Sequence, residues 1–197
     1  MKEMKVKITL TEEMLGMSPS DKDVYSNFIA GNAPDAPSME EEIAAIGTDG
    51  VEEKGTTVFP RDTNGNPIMW DYQIRGFFKD ACGMLRRIPK TKSSAMKAYK
   101  KIIDGLIFVK ERMIPINVNG ECGNCQRPLR AQTAQGERIA LAASETVPTG
   151  STICFTVQTM LDDDMEAVKE WLNYGTFRGL GQWRNSGKGR FAWEEIG

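Results

Sequence analysis

Hydrophobic and polar residues alternate in three separate stretches of the chain, Lys5–Thr11, Ser151–Met160 and Arg190–Ile196. Alternation with a period of two places one set of side chains on a single face of a strand. Each stretch therefore predicts a half-buried strand. The inward-facing positions are Val6, Ile8, Leu10, Ile153, Phe155, Val157, Phe191 and Trp193.

Two other stretches repeat apolar residues every three or four positions, the period of a helix that is buried along one side. Asp71 caps the first predicted helix and Pro89 stops it, whereas Asp162–Asp164 cap the second and Gly175 ends it. The apolar positions are Ile74, Phe77, Phe78, Ala81, Met84, Leu85 and Ile88 in the first helix, and Met165, Val168, Trp171 and Leu172 in the second.

Shorter signals predict the remaining elements. Ser18-Pro19 predicts a helix start with proline in its first position, and the capping box Ser38-Met-Glu-Glu41 predicts another short helix. A lysine-rich helix is expected from Ser93 to Asp104, followed by a strand from Leu106 to Ile116. Asn64-Gly65 lies between two apolar runs and predicts a hairpin turn.

The predicted core elements follow each other in the order β-α-β-β-α-β. Two helices on one face of a four-stranded antiparallel sheet form the ferredoxin-like arrangement, which RNA-recognition motifs (RRM) share. The fold class is therefore predicted as α+β, with a ferredoxin-like/RRM core and inserted hairpins and helices. We expect one domain over residues 1–197, with insertions at about 17–70 and 117–148. The second insertion has weak periodicity and predicts a long polar hairpin or an extended excursion.

Composition supports a soluble, globular protein. The 197 residues are 26% charged and 40% hydrophobic, and no apolar run reaches the roughly 18 residues that a membrane span needs. A cytoplasmic protein without membrane contact is the simplest interpretation.

Charge is distributed unevenly, because residues 1–70 carry 6 Lys/Arg against 13 Asp/Glu, whereas residues 72–138 carry 14 Lys/Arg against 5 Asp/Glu. Opposite faces of this kind suit head-to-tail self-association, although solvated surfaces of unequal charge explain the same counts.

Cysteine and histidine content restricts the chemistry. Cys122-Gly-Asn-Cys125 is a lone CxxC motif, and a zinc site would also need Cys82 and Cys154, which fall in a predicted helix and a predicted strand. Reduced, structural cysteines are therefore expected, with no metal and no cofactor. The chain has no histidine, which excludes Ser-His and Cys-His catalysis.

The stretch Tyr174–Phe191, "YGTFRGLGQWRNSGKGRF", combines glycines with positive charge. It is not a dinucleotide fingerprint, because it lies between a helix and a strand in that order and "GLGQWR" lacks the third glycine. "GQWRNSGKG" does not have the spacing or the Ser/Thr of a Walker A loop. An anion-binding loop fits better, with charge from Arg184, Lys188 and Arg190 and a stacking surface on Trp183. The alternative is a loop whose glycines serve close packing.

This loop, between the last helix and the last strand, resembles the signature loop of the RAMP superfamily, which includes CRISPR effector backbone and RNA-processing subunits. "DYQIRGFFKDACGMLR", Asp71–Arg86, is similar to the family's segment at the first helix, with Arg75 and Gly76 on its basic-Gly pair and Tyr72 and Gln73 in place of its usual serines. "ETVPTGSTICFTV", Glu145–Val157, is similar to its "VPxGT" motif. Overall likeness also indicates kinship with small phage-encoded proteins.

The resemblance implies binding of single-stranded RNA, with copies stacked head to tail and the excursion 117–148 acting as a thumb. We therefore expect a non-enzymatic protein that binds single-stranded RNA or DNA, with RNA as the expected ligand. The residues assigned to nucleic-acid binding are Arg75, Lys79, Arg127, Arg130, Gln132, Arg138, Gln182, Trp183, Arg184, Lys188 and Arg190. The glycines assigned to close backbone approach are Gly76, Gly179, Gly181, Gly187 and Gly189. Ordinary surface charge is the alternative for the arginines.

Two other functions stay open. The first is a phage-type interaction protein that interferes with a host defence complex by mimicking its backbone subunit, with the acidic residues 1–70 as its contact surface. The second is a metal-dependent ribonuclease that uses Asp21 or Asp23, which follow the first strand; the same aspartates also suit a helix cap.

Overall fold

The computed structural model describes residues 1–20, 56–133 and 136–197, and of residues 129–133 and 136–141 it describes the backbone only. The chain divides into two compact units. The first unit consists of Met1–Met14, Pro60–Glu121 and Val147–Gly197, and the second of Leu15–Phe59 and Cys122–Thr146. The capping box Ser38-Met-Glu-Glu41, Asp21 and Asp23 lie outside the described residues. The expectation of one domain with two insertions stays a prediction.

The strands and helices are numbered in chain order. They are β1 Lys2–Leu10, β2 Met14–Leu15, β3 Ser18–Pro19, β4 Thr57–Val58, β5 Ile68–Trp70, α1 Asp71–Leu85, α2 Lys92–Ala95, α3 Tyr99–Leu106, β6 Ile107–Val109, β7 Met113–Asn117, β8 Gly123–Thr133, β9 Gly136–Val147, β10 Thr152–Thr159, α4 Asp162–Arg178, a 3-10 turn Arg184–Ser186, and β11 Phe191–Glu195.

The first unit is built on an antiparallel sheet in the order β11-β1-β10-β7-β5, with β6 also pairing with β10. Val6 lies opposite Phe155, and Ile8 lies opposite Trp193. The helices α1 and α4 connect these strands in the order β1-α1-β6/β7-β10-α4-β11. The predicted α+β fold with a ferredoxin-like β-α-β-β-α-β core is confirmed.

The core of the first unit lies between the sheet and the two long helices. Seven of the eight strand positions predicted to face inward are at most 1% exposed: Val6, Ile8, Leu10, Ile153, Phe155, Val157 and Phe191. The eighth, Trp193, is only half-buried. Aromatic rings join the helices to the sheet, since the Phe77 and Phe191 ring centroids lie 5.9 Å apart edge to face. Phe78 lies 5.4 Å from Trp171. Alternating strands with one buried face explain this packing.

Helix α1 begins at Asp71, which is therefore its first residue and not its predicted cap, and the helix ends earlier than Pro89 predicts. Gln73 Oε1 accepts a hydrogen bond from Trp70 N at 2.9 Å, which satisfies a backbone donor at the start of the helix. At the other end, Thr91 Oγ1 donates to Leu85 O at 3.1 Å and thereby satisfies a carbonyl of the last turn. The helix ends at Leu85, and the predicted core residue Ile88 is 51% exposed beyond it.

Three predicted boundaries are wrong for identifiable reasons. The lysine-rich helix is two helices, α2 and α3, because Ala98 adopts a left-handed conformation with φ +51° between them. The predicted long strand is β6 and β7, separated where the Glu111 carboxylate accepts hydrogen bonds from Thr156 N and Oγ1 at 2.7 and 2.8 Å. Helix α4 continues past Gly175, which is buried, and ends before Gly179, whose φ is +80°.

Two predictions concern the two ends of the insertion at residues 17–70, and only one of them is correct. The Asn64-Gly65 turn is confirmed, because Asp62 Oδ1 accepts hydrogen bonds at 2.8 Å from Asn64 N and Asn66 N, and Ile68 N donates to Pro60 O at 2.8 Å. Ser18-Pro19 does not begin a helix. It forms β3 and pairs with β4, so long-range pairing outweighs the local signal.

The second unit contains a long hairpin in the predicted excursion. Strands β8 and β9 pair antiparallel from Gly123 opposite Thr146 to Thr133 opposite Gly136. The unit's sheet has the order β2-β9-β4-β3, with β8 on β9. At its base, the Ser144 hydroxyl lies 2.7 Å from Thr57 Oγ1.

Candidate nucleic-acid interface

The glycine-rich loop of the first unit begins at Gly179, directly after α4, and ends at Arg190, directly before β11. Leu180 N donates a hydrogen bond to Gly189 O at 2.9 Å, and Gly189 N donates to Glu13 O at 2.8 Å. These backbone bonds close the loop at its base and attach it to the residues that follow β1. The loop therefore has a defined backbone path without a ligand.

Two glycines of this loop are required by its own packing. A Cβ on Gly189 (φ +73°) would lie 1.8 Å from Leu180 O, and a Cβ on Gly179 (φ +80°) would lie 2.5 Å from Lys188 O. Only glycine fits at both positions. The backbone at these two glycines thus packs against other backbone atoms of the loop, which agrees with the alternative that the loop glycines serve close packing. The anion-binding role of the loop glycines, Gly179, Gly181, Gly187 and Gly189, stays a prediction.

Carboxylates and carbonyls of the first unit orient the loop cations. Arg184 Nη1 donates to Asp80 Oδ2 at 2.7 Å. Lys188 Nζ forms an ion pair with Glu13. Arg190 Nε donates to Phe177 O at 3.0 Å, and its side chain is exposed. Each pairing uses part of a side chain's donor capacity, because a guanidinium has five N–H groups and an ammonium has three.

Trp183 combines exposure with an unfavourable backbone conformation. Its φ is +54°, and it is one of three described non-glycine residues with positive φ. A side chain in this region costs roughly 1–3 kcal/mol. Trp183 is 41% exposed, so burial does not explain the conformation. Its neighbour Gln182, also assigned to binding, is half-buried.

The predicted residues on α1 form a small ion-pair network. Arg75 Nη2 lies 2.9 Å from Asp71 Oδ2, and Lys79 Nζ lies 2.6 Å from Asp104 Oδ1 on α3. Gly76 lies between them on the exposed side of the helix, and a Cβ there would meet no heavy atom within 4 Å. Another molecule therefore has room to approach the α1 backbone at this position.

An arginine–aromatic cluster beside this network was not predicted. The Arg112 guanidinium carbon lies 5.5 Å from the Trp70 ring centroid and 5.7 Å from that of Tyr72, and Arg112 pairs with Asp71. The two rings are nearly parallel, at an angle of 11°. Pairing of β5 with β7 places Trp70 opposite Met113 and so brings Arg112 to the rings. Because that pairing joins distant parts of the chain, no local pattern indicates it.

The hairpin of the second unit carries the other predicted residues. Arg127 is only 8% exposed, and its Nη1 donates a hydrogen bond to Ser144 Oγ at 3.0 Å. This bond joins the two strands at the base of the hairpin. Burial lowers the pKa of Arg127. The backbone register places Arg130 opposite Ile139, Gln132 opposite Glu137, and Arg138 opposite Ala131. The binding role of these residues stays a prediction.

The four cysteines do not form disulfides, and Cys82 is buried in α1, where burial raises the pKa of its thiol. Within residues 1–20, 56–133 and 136–197, no group of three or more Cys, Asp or Glu side chains is arranged to hold a metal ion. In the same part of the chain, no helix is long and apolar enough to cross a membrane.

No protein-family model matches the chain, and no curated protein sequence is significantly similar to it. Among solved structures, a chain of the Type III-B Cmr-beta complex, determined by cryo-EM with cognate target RNA bound, is similar with a TM-score of 0.54 at 11% sequence identity. The alignment covers 99% of this chain and 61% of that chain. A chain of a Type IV-B CRISPR complex aligns with a TM-score of 0.48 at 11% identity, over 99% of this chain and 90% of that chain.

At this level of identity, the Cmr-beta likeness shows the fold alone. This protein spans 61% of the length of the Cmr-beta chain, so that chain contains regions that have no counterpart here. The expected kinship with phage-encoded proteins stays a prediction. The chain shares its fold with that Cmr-beta chain, and membership of the RAMP superfamily stays a prediction.

Proposed function

We propose that this protein binds single-stranded nucleic acid, with RNA as the expected ligand, and that it does so without catalysing a reaction. The supporting observation is the glycine-rich loop, whose closed backbone carries three cations, Arg184, Lys188 and Arg190, together with Trp183, which is 41% exposed. Cations of this kind neutralise phosphates, and stacking on an aromatic ring contributes about 1–3 kcal/mol per base.

Fold-level likeness supports the same function with less weight. The Cmr-beta complex, one chain of which shares this fold, was determined with target RNA bound. One fold carries many functions, so the proposal rests on the loop and not on the likeness. The expectation that RNA is bound in preference to DNA comes from this analogy.

Other parts of the chain are proposed as further contacts with the strand, each considered within its own unit. On α1, Arg75 and Lys79 flank the open backbone at Gly76, where a phosphate has room to approach. In the second unit, Arg130, Gln132 and Arg138 of the hairpin are proposed as further contacts. Arg127 is not among the proposed contacts, because its guanidinium donates a hydrogen bond to Ser144.

Self-assembly is the second part of the proposal. The uneven distribution of charge along the sequence favours contacts between unlike faces over a two-fold contact between like faces. We propose that copies stack head to tail and that the bound strand runs along the stack. Such an assembly closes into a ring or grows as a filament.

A loop variant tests the proposal. Arg184→Gln with Lys188→Gln removes two loop cations, and Lys2→Gln with Lys169→Gln is the control with the same change in net charge, since both control lysines pair with acidic residues. Fluorescence anisotropy with labelled oligouridylate and oligothymidylate is measured from low to physiological salt. We expect weaker binding of the loop variant and a salt slope smaller by roughly 0.7 for each lost phosphate contact. An unchanged slope contradicts the proposal.

The interaction-protein hypothesis is a second candidate, supported by the excess of acidic residues in 1–70. It predicts a protein that binds a host defence complex and carries no nucleic acid. The ratio of absorbance at the nucleic-acid and protein maxima after purification separates the two candidates. The ribonuclease hypothesis depends on Asp21 and Asp23, and Asn substitution of both tests it directly.

A further inference from the structure

Residues 86–101 form a strongly basic segment that the proposed interface does not include. No Asp or Glu occurs between Asp80 and Asp104. The segment contains seven cations, all exposed: Arg86, Arg87, Lys90, Lys92, Lys97, Lys100 and Lys101.

Most of these cations have no acidic partner in the described structure. Lys92 pairs with Asp163 at 3.1 Å, and the Arg86 guanidinium carbon lies 5.2 Å from the centroid of the Tyr99 ring. The other five form no ion pair with any residue in 1–20, 56–133 or 136–197: Arg87, Lys90, Lys97, Lys100 and Lys101. Elsewhere in the first unit, six lysines pair with carboxylates: Lys2, Lys7, Lys79, Lys110, Lys169 and Lys188.

The backbone of the basic segment is nevertheless held firmly. Glu170 on α4 accepts hydrogen bonds from Lys92 N at 2.8 Å and from Ser93 Oγ at 2.5 Å. Trp171 Nε1 donates to the same Ser93 hydroxyl at 2.9 Å, and both Trp171 and Ser93 are fully buried. Contact between Arg86 and Tyr99 also joins the two ends of the segment. The cations therefore project from a fixed backbone.

Neither helix stability nor backbone conformation explains this arrangement. Lys90 and Ala98 have positive φ, +68° and +51°, which is costly for residues with a side chain. Lys100 and Lys101 occupy the first turn of α3, which contains no acidic residue, and cations there oppose the helix dipole. An external anionic partner would offset the second cost, because it neutralises the cations at the start of α3.

We infer that the basic segment is a second nucleic-acid contact, which binds the phosphate backbone of a strand without reading its sequence. Lysine ammonium groups act as point charges that neutralise phosphates, and each neutralised phosphate adds to the salt dependence of binding. An acidic protein surface fits less well, because lysine is depleted at protein–protein interfaces. This inference rests on the proposed function and extends it to a different surface.

A comparison of two matched variants tests the inference. The segment variant carries Lys90→Gln, Lys97→Gln, Lys100→Gln and Lys101→Gln. Its control carries Lys2→Gln, Lys7→Gln, Lys110→Gln and Lys169→Gln, which gives the same net charge. Both are compared with the wild type by anisotropy of labelled oligouridylate across a salt titration, and melting by circular dichroism verifies that both fold.

We expect the segment variant to bind more weakly, with a salt slope smaller by roughly 0.7 for each lysine that contacts phosphate, and the control to keep the wild-type slope. Oligothymidylate should show the same loss, since phosphates are common to both strands. Equal losses in the two variants would mean that only net charge acts, and this overturns the inference.

The outcomes separate this inference from the proposed function. If the loop variant Arg184→Gln/Lys188→Gln loses binding and the segment variant does not, the proposed function stands and the inference is overturned in favour of another partner, such as an acidic protein. If the wild type binds neither oligonucleotide at low salt, both are overturned.

Discussion

Arg184 Nη1 lies 2.7 Å from Asp80 Oδ2 and so connects the glycine-rich loop to helix α1. Arg178 Nε approaches the same oxygen at 3.3 Å from the end of α4. The Asp80 carboxylate therefore pairs with two cations, Arg178 just before the loop and Arg184 within the loop. This arrangement orients Arg184, and it also places a negative charge where a phosphate is proposed to bind.

Asp80→Asn should strengthen binding of a single strand. Removal of one nearby negative charge at a solvated surface is worth about 1 kcal/mol, or roughly fivefold in affinity. Asp162→Asn is the control, because Asp162 is highly exposed and its loss changes the net charge equally. Affinities of both variants for oligouridylate at low salt provide the measurement. Weaker binding by Asp80→Asn would show that positioning of Arg184 matters more than competition for it.

Gly175→Ala should destabilise the first unit. A Cβ there would lie 2.3 Å from Phe191 Cζ and 2.6 Å from Phe77 Cζ, and overpacking of a core costs about 1–3 kcal/mol. Gly76→Ala is the matched control in an open helical position, where alanine is favoured over glycine by about 0.5–1 kcal/mol. Urea unfolding compares the two. A stable Gly175→Ala protein would mean that the α4–sheet packing differs from that described.

The Gly76→Ala control has its own consequence for binding. Since a Cβ at this position meets nothing within 4 Å in the protein, a loss of strand affinity in a stabilised variant must come from the ligand side. We expect such a loss if the strand approaches the α1 backbone at Gly76. Unchanged affinity would remove Gly76 from the proposed interface.

Asp164→Asn should make stability less dependent on pH. Burial, with a smaller effect of Asp163, raises the pKa of Asp164, and its Oδ2 makes no hydrogen bond within the described residues. When the pKa of a carboxyl is higher in the folded protein than in the unfolded chain, the free energy of unfolding decreases as the pH rises through that range. The variant should therefore gain stability relative to the wild type at neutral pH, and the gain should disappear in acid where both side chains are neutral.

Thermal melting across that pH range measures the effect. Asp163→Asn is the control, because its side chain is 88% exposed and lies in the same helical turn. The control should not be more stable than the wild type at neutral pH, since the charged Asp163 side chain interacts favourably with the helix N-terminus. If Asp164→Asn lowers stability at neutral pH, the carboxylate makes a favourable contact that outweighs its burial.

Shortening the hairpin should separate binding from folding. Replacement of residues 129–140 by an Asn-Gly turn keeps the strand pairs from Gly123–Thr146 to Arg127–Ala142 and the Ser144–Thr57 contact. We expect a melting temperature within about 4 °C of the wild type, but weaker strand binding and loss of self-assembly. Arg130→Gln with Arg138→Gln in the full-length protein should reproduce the loss of binding. Unfolding of the shortened protein would place the hairpin tip in a core.

Self-assembly should depend on salt. Contacts between the acidic and basic parts of the chain weaken as ions screen them over about 10 Å at moderate ionic strength. We therefore expect particles larger than a dimer at low salt and monomers at high salt, as measured by light scattering with and without oligonucleotide. A constant monomer mass under all conditions would contradict head-to-tail stacking and favour the interaction-protein hypothesis.

Local patterns in the sequence were sufficient for the ferredoxin-like core. Val6, Ile8 and Leu10 alternate with polar residues, so their strand had to bury one face whatever covered it. Spacings of three and four placed Phe77 and Phe78 on the buried side of α1 in the same way. The glycine-rich loop was also recognisable, because its composition and its place between a helix and a strand are properties of contiguous residues.

Tertiary structure decided what those residues contact. Gly175 looked like a helix end, yet close packing against Phe191 explains it. Arg184 looked like a free phosphate ligand, yet Asp80 holds it from a helix 104 residues earlier in the chain. Arg112 reaches Trp70 only because β5 pairs with β7. A periodic pattern reports which side of an element is buried, whereas ion pairs, close contacts and strand partners depend on residues far apart in the chain, and only the folded structure brings these together.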